Sequence, residues 1–132
     1  MQIKRQITKL AITIVMAILV SNTNSSAQSA SNYIRIARLV IDSAKLEDYK
    51  KALKEHAETA VKVEPGVIML YAVYEKEQPT HVSVFEIYAD QKAYQFHIKQ
   101  PHFLKYKDTV KDMVKSLQLM DVMPIALESK KH

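Results

Sequence analysis

His97 and His102, in the stretch YQFHIKQPHF, stand five residues apart with Pro101 between them. Imidazole titrates near neutral pH, so the pair could move protons or hold a metal ion. Two ligands that face one ion from a continuous helix come at i and i+4. Here the spacing is five, Pro101 interrupts the helix, and the nearest acids in sequence, Asp90 and Asp108, merely flank the pair. With no cysteine in the chain, a metal site is not expected. His97 follows Tyr94 by three residues and Ala93 by four, which places it on the inward stripe of a helix. There it is either a general acid or base or a core-edge histidine bonded to backbone. His102 opens the next helical turn, where it could equally cap the break at Pro101.

Glu86 shares a strand face with Val82, Val84 and Tyr88. A carboxyl in that company is either partly buried with a perturbed pKa or paired with Arg35 or Arg38 from another strand. His56 and His81 read as structural, and His132 lies in the tail. Tyr71, Tyr74, Tyr88, Met69, Met120 and Met123 suit a core or, if a cavity exists, an apolar aromatic lining. A single glycine cannot build a phosphate-cradling loop, and no GxSxG elbow or cysteine nucleophile exists. Any catalysis must use His, Glu, Arg and Tyr, or the substrate's own reactivity.

These residues need elements to position them. YIRIARLVI, Tyr33 to Ile41, reads as a strand apolar on both faces, which expects cover on both sides. Asp42 and Ser43 offer a cap, and Leu46, Tyr49, Leu53, Ala57 and Ala60 recur at helical spacing from about Lys45 to Val63. Pro65 ends that helix, and Gly66 stands where a turn wants positive φ. VIMLYAVY and HVSVFEIY, joined by EKEQPT, read as a hairpin. Asp90 caps a second helix, broken at Pro101, after which Phe103, Tyr106, Val110, Met113 and Val114 start a new stripe. A last strand is expected over Ser116 to Ile125. The order β-α-β-β-α-β predicts an α+β, ferredoxin-like domain, a four-stranded antiparallel sheet with its helices on one face. The other face then needs a partner, most economically a second copy of the chain in a homodimer.

The chain has 132 residues, with 19 Lys and Arg against 14 Asp and Glu. Lys4, Arg5 and Lys9 precede an 11-residue apolar run from Leu10 to Val20, too short to span a bilayer. With Ser25 and Ala27 before Gln28, residues 1–27 read as a secretory signal peptide, followed by one domain over 28–132. Losing that segment removes three basic residues and no acidic ones, so the net charge falls from +5 to +2. No nucleic-acid partner is implied. No membrane association is expected after signal removal, and the location expected is periplasmic or secreted.

EPGVIMLYAVYE (Glu64 to Glu75), VFEIYADQKAY (Val84 to Tyr94) and HIKQPHF (His97 to Phe103) together resemble the antibiotic biosynthesis monooxygenase family, quinol monooxygenase-like branch. The resemblance implies a dimeric α/β barrel. It also implies oxidation of a small quinol or polyphenol-like aromatic by O₂ without a cofactor, in which the deprotonated substrate itself reacts with oxygen. Glu86 and His97 would then line the pocket, with His97 the proton acceptor and Glu86 orienting it or the substrate. His102 and Phe103 would close one end, and Tyr71 and Arg38 would be further substrate contacts. The haem-degrading branch uses Asn, Trp and His where this chain has Ala37, His97 and Lys107, so haem degradation is not expected. The same dimeric fold could instead serve as a non-catalytic module that binds a small apolar ligand.

Overall fold

The computed structural model describes residues 31–130, so the expected signal peptide over residues 1–27 lies outside the described residues. Eight elements follow in order. They are β1 (Tyr33–Ile41), a 3₁₀ turn (Ser43–Lys45), α1 (Leu46–Val63), β2 (Val67–Tyr74), β3 (His81–Tyr88), α2 (Gln91–His97), α3 (Pro101–Val110) and β4 (Val114–Val122). All strand pairs are antiparallel, in the order β2-β3-β1-β4. This is the expected ferredoxin-like α+β arrangement.

Local chemistry sets the boundaries. Asp42 accepts a hydrogen bond from the Ala44 backbone N–H at 3.0 Å, and Asp90 accepts one from the Ala93 N–H at 2.8 Å, which starts α2. Pro101 occupies the first turn of α3, where its missing N–H costs nothing. β4 begins two residues earlier and ends three earlier than Ser116 to Ile125, and α3 stops at Val110. Met113 and Val114 therefore belong to the turn and the strand rather than to the helical stripe. A register shift at Val40/Ile41 lets Val114 pair opposite Ile41.

Gly66 departs from expectation in an informative way. No described residue has positive φ, so the turn does not need glycine for its backbone angles. A Cβ on Gly66 would instead lie 2.6 Å from the Ala93 Cβ. The position is glycine because α2 passes against it.

The core lies between the sheet and the helices. Tyr49, Leu53 and Ala60 of α1 and Val110 at the end of α3 pack on Ala37, Leu39, Ile41, Leu70, Val82, Val84 and Tyr88. His56, expected at the edge of the α1 stripe, is buried with them. Strand register assigns the opposite face in rows. One runs Tyr71, Phe85, Ile36, Met120 and another Met69, Ile87, Ile34, Val122. Tyr71 is 65% and Phe85 42% exposed there.

Candidate functional site

Side chains from all four strands and all three helices enclose a cavity of about 90 Å³ between sheet and helices. Its walls are Leu39, Leu53, Leu70, Phe103, Leu117 and Leu119, and its polar groups are Arg35, Glu86, Tyr88, Tyr94, Tyr106, His56 and Lys107. Exposed Lys107, Leu117 and Leu119 form the open edge. The volume is small against the ~300–1,000 Å³ of ordinary ligand sites. It limits an occupant to about one aromatic ring unless that edge gives way.

Glu86 is the acid of this cavity. It stands opposite Arg35 across the β1–β3 pair, and the Tyr88 hydroxyl donates to its Oε2 at 3.1 Å. Burial raises its pKa above the ordinary carboxylate range, with Tyr88 and Arg35 pulling the other way. Both sequence readings of Glu86 thus hold in part: it is partly buried and perturbed, and Arg35 is its cationic neighbour. Arg35 is further held by Asp121 Oδ1 at 3.0 Å. Its guanidinium donates to the Tyr94 hydroxyl and lies 4.6 Å from the Tyr94 ring centre. Tyr106, raised above the usual phenol pKa by burial, shares a 3.0 Å hydrogen bond with Tyr49 and stacks on His56 at 4.8 Å. Burial keeps the Tyr88 and Tyr106 phenols protonated and able to donate.

His97 is elsewhere. It is 1% exposed and is not among the cavity's lining residues; its ring packs against Tyr88 and Phe103, 5.3 and 5.1 Å away between centres. Its Nδ1 lies 2.8 Å from Glu64 Oε1, and that N–H donates to the carboxylate. Burial lowers the His97 pKa, and Glu64 opposes the shift. His102 Nε2 stands 2.7 Å from the same oxygen. It is off the direction of a hydrogen bond, however, so it counts among the buried atoms without a partner, as does Glu64 Oε2. His102 Nδ1 meets His56 Nδ1 at 3.2 Å. Burial, then His97 and His102, hold the His56 pKa down to about 3, so His56 is neutral at physiological pH.

Of the side chains singled out from the sequence as site or lining residues, Glu86, Tyr88 and Phe103 line the cavity. His97 and His102 converge on Glu64, which their spacing alone did not foretell. The break after His97 lets α3 restart at Pro101 and turn His102 back toward α2, and the third member comes from a different element. Tyr71 and Arg38 point to neither place, because strand register puts them on the open sheet face. Glu64, Arg35 in its cavity role, Tyr94, Tyr106 and Lys107 were not foreseen as site residues. Glu64 did leave one signal. It is an acid at the C-terminus of α1, against the helix dipole, and such a placement asks for compensating donors.

A sequence profile described as antibiotic biosynthesis monooxygenase matches residues 32–109. A comparison with curated proteins found no match. Among solved structures, a proposed antibiotic biosynthesis monooxygenase from Bacteroides thetaiotaomicron is 47% identical. It covers 79% of this chain and 99% of its own, with a TM-score of 0.74. A proposed monooxygenase from Lactobacillus acidophilus is 26% identical over 71% of this chain and 45% of its own, with a TM-score of 0.70. A third, from Nitrosomonas europaea, shares the fold at 23% identity over 73% of this chain and 92% of its own, with a TM-score of 0.68.

Proposed function

Because the chain belongs to the antibiotic biosynthesis monooxygenase family, we propose that it is an exported, cofactor-independent monooxygenase of a small quinol-like aromatic. The observation that carries this reading is Glu86, a partly buried carboxyl with a raised pKa among apolar walls. A base is most effective when its pKa approaches the working pH, and a carboxyl moves that way by desolvation. The sequence suggested His97 for this task. We assign it to Glu86, because Glu86 lines the cavity and His97 does not.

In this reading Glu86 takes a phenolic proton from the bound quinol. The anion left behind is held by the Arg35 guanidinium and the Tyr94 hydroxyl that it orients, in a space too dry for water to compete. The electron-rich ring then reduces O₂. One oxygen atom enters the ring as a new C–O bond and the other leaves as water, so QH₂ + O₂ gives the hydroxyquinone and H₂O. The cavity volume favours a single-ring quinol over fused systems. A second copy of the chain, seated on the open sheet face, completes the proposed homodimer. Its location would be periplasmic or secreted, as the composition of residues 1–27 suggests.

Oxygen consumption by the purified protein, with single-ring quinols, naphthoquinols, anthrones and polyphenols, tests the reading. Uptake above autoxidation is expected, strongest for one-ring substrates, and Glu86→Gln should lower it by about 10²–10⁴-fold. Uptake at the autoxidation rate throughout, together with ligand-induced thermal shifts, would instead identify a binding module.

A further inference from the structure

Glu64, His97 and His102 form a second constellation, separate from the cavity and not needed by the proposed oxidation. Each offers a ligand atom, and these atoms all lie within 4.8 Å of one another. They come from three elements: Glu64 closes α1, His97 ends α2 and His102 lies in the first turn of α3. Glu64 and His97 are almost wholly buried, at 3% and 1% exposure.

The hydrogen bonding leaves this cluster incomplete. Two of the buried side-chain atoms without a partner among the described residues are Glu64 Oε2 and His102 Nε2. Both imidazoles crowd one oxygen, at 2.8 and 2.7 Å, and leave the other bare. The charge is incomplete as well. Among the described residues, the ion pairs of Glu64 run only to these two imidazoles, and no Lys or Arg reaches it. A buried carboxylate with no permanent cation beside it is expensive.

We propose that Glu64, His97 and His102 bind one divalent transition cation of the Zn²⁺ class, as a structural site that fastens the ends of three helices. Two imidazole nitrogens and a carboxylate suit such an ion, and bond lengths of about 2.0–2.2 Å would place it among these atoms with small side-chain shifts. Such a cation uses the bare Oε2 and the misdirected Nε2 as ligands, and supplies the missing positive charge. His56 acts as the outer partner. Its Nδ1 contact with His102 Nδ1 fixes which nitrogen of His102 faces inward. Access runs through a groove of about 310 Å³ between α1 and α3, lined by His56 and His102 and rimmed by Asp48 and Glu55. The site reverses the expectation drawn from the spacing of His97 and His102 alone. That spacing concerned one helix, whereas these ligands come from three.

Chelator-treated protein titrated with Co²⁺ and then Zn²⁺ tests the proposal. Expected are one equivalent per chain, visible Co²⁺ bands of low-coordinate nitrogen and oxygen ligation that Zn²⁺ abolishes, and a melting temperature raised by Zn²⁺. Affinity should fall at least 100-fold in Glu64→Gln and in His102→Gln, and stay unchanged in His81→Gln, which lies outside the cluster. Substoichiometric binding to the folded parent would overturn the proposal, as would equal affinity in all three variants. If a cluster variant fails to fold, the parent's stoichiometry and Co²⁺ spectrum still decide. Oxygen uptake is not a readout here, so failure of the metal site and failure of the oxidation reading are separately visible.

Discussion

Glu86 carries opposite consequences for activity and stability, and both follow from its partial burial. Desolvation raises its pKa, so ionising it in the folded protein costs more than in the unfolded chain. Its favourable contribution is therefore complete below the ordinary carboxylate pKa of about 4.3 and is lost as pH rises through the raised folded value. Glu86→Gln stays neutral at every pH and can still accept from the Tyr88 hydroxyl. Thermal melts should therefore show the variant level with the parent in acid and more stable at pH 8, the gap opening as pH increases. Activity of the parent should rise over that same interval, because only the ionised carboxyl can take a proton. A gap that does not change with pH, or a variant less stable throughout, would mean that Arg35 holds Glu86 ionised and that it is not poised as a base. His97 shows the contrast. Its ring is fixed by Glu64 and sealed by Tyr88 and Phe103, so its truncation should act on folding before it acts on chemistry.

At the level of elements, the turn from α1 into β2 and the start of α2 are joined by a contact one methyl group wide. Gly66→Ala would place a Cβ 2.6 Å from the Ala93 Cβ, both on ordered segments, since the Ala89 N–H donates to the Gly66 carbonyl at 2.9 Å. Overpacking of this kind costs about 1–3 kcal/mol, to be read by denaturant unfolding. Ala93→Gly in the same chain should recover part of the loss, whereas a purely conformational role for Gly66 would leave the double variant as weak as the single one. What was legible in the sequence follows a similar division. Asp42, Asp90 and Pro101 act on backbone within a few residues of themselves, so the element order and the helix starts could be read directly. The end of β4 could not, because its pairing with β1 and the shift at Val40/Ile41 set it, not its own composition. The inward stripe of α2 correctly put His97 indoors. That Tyr88 and Phe103 would separate it from the cavity, and that Glu64 would meet it from 33 residues away, depends on how α1, α2 and α3 converge on the sheet, which no local pattern encodes.

For the whole molecule, the helices cover one face of the sheet and leave the other with apolar side chains in register across four strands. Tyr71, Phe85, Ile36 and Met120 form the central row, and Val73 extends the exposed area on β2 at 56% exposure. A continuous apolar surface on a sheet is costly in water. A two-fold axis near Phe85 would lay each row against its counterpart, burying Tyr71 and Phe85 while Arg38 and Gln118, in the next row, face the partner's polar groups. Phe85→Lys puts a charge at the centre of that contact without touching the helix-side core, where its neighbours Val84 and Glu86 point. Sedimentation at micromolar concentration should show the parent as a dimer and Phe85→Lys as a folded monomer with unchanged far-ultraviolet dichroism. A parent that sediments as a monomer would remove the second copy from the account, and some other cover would then be needed for β1, whose apolar residues on both faces first raised the question.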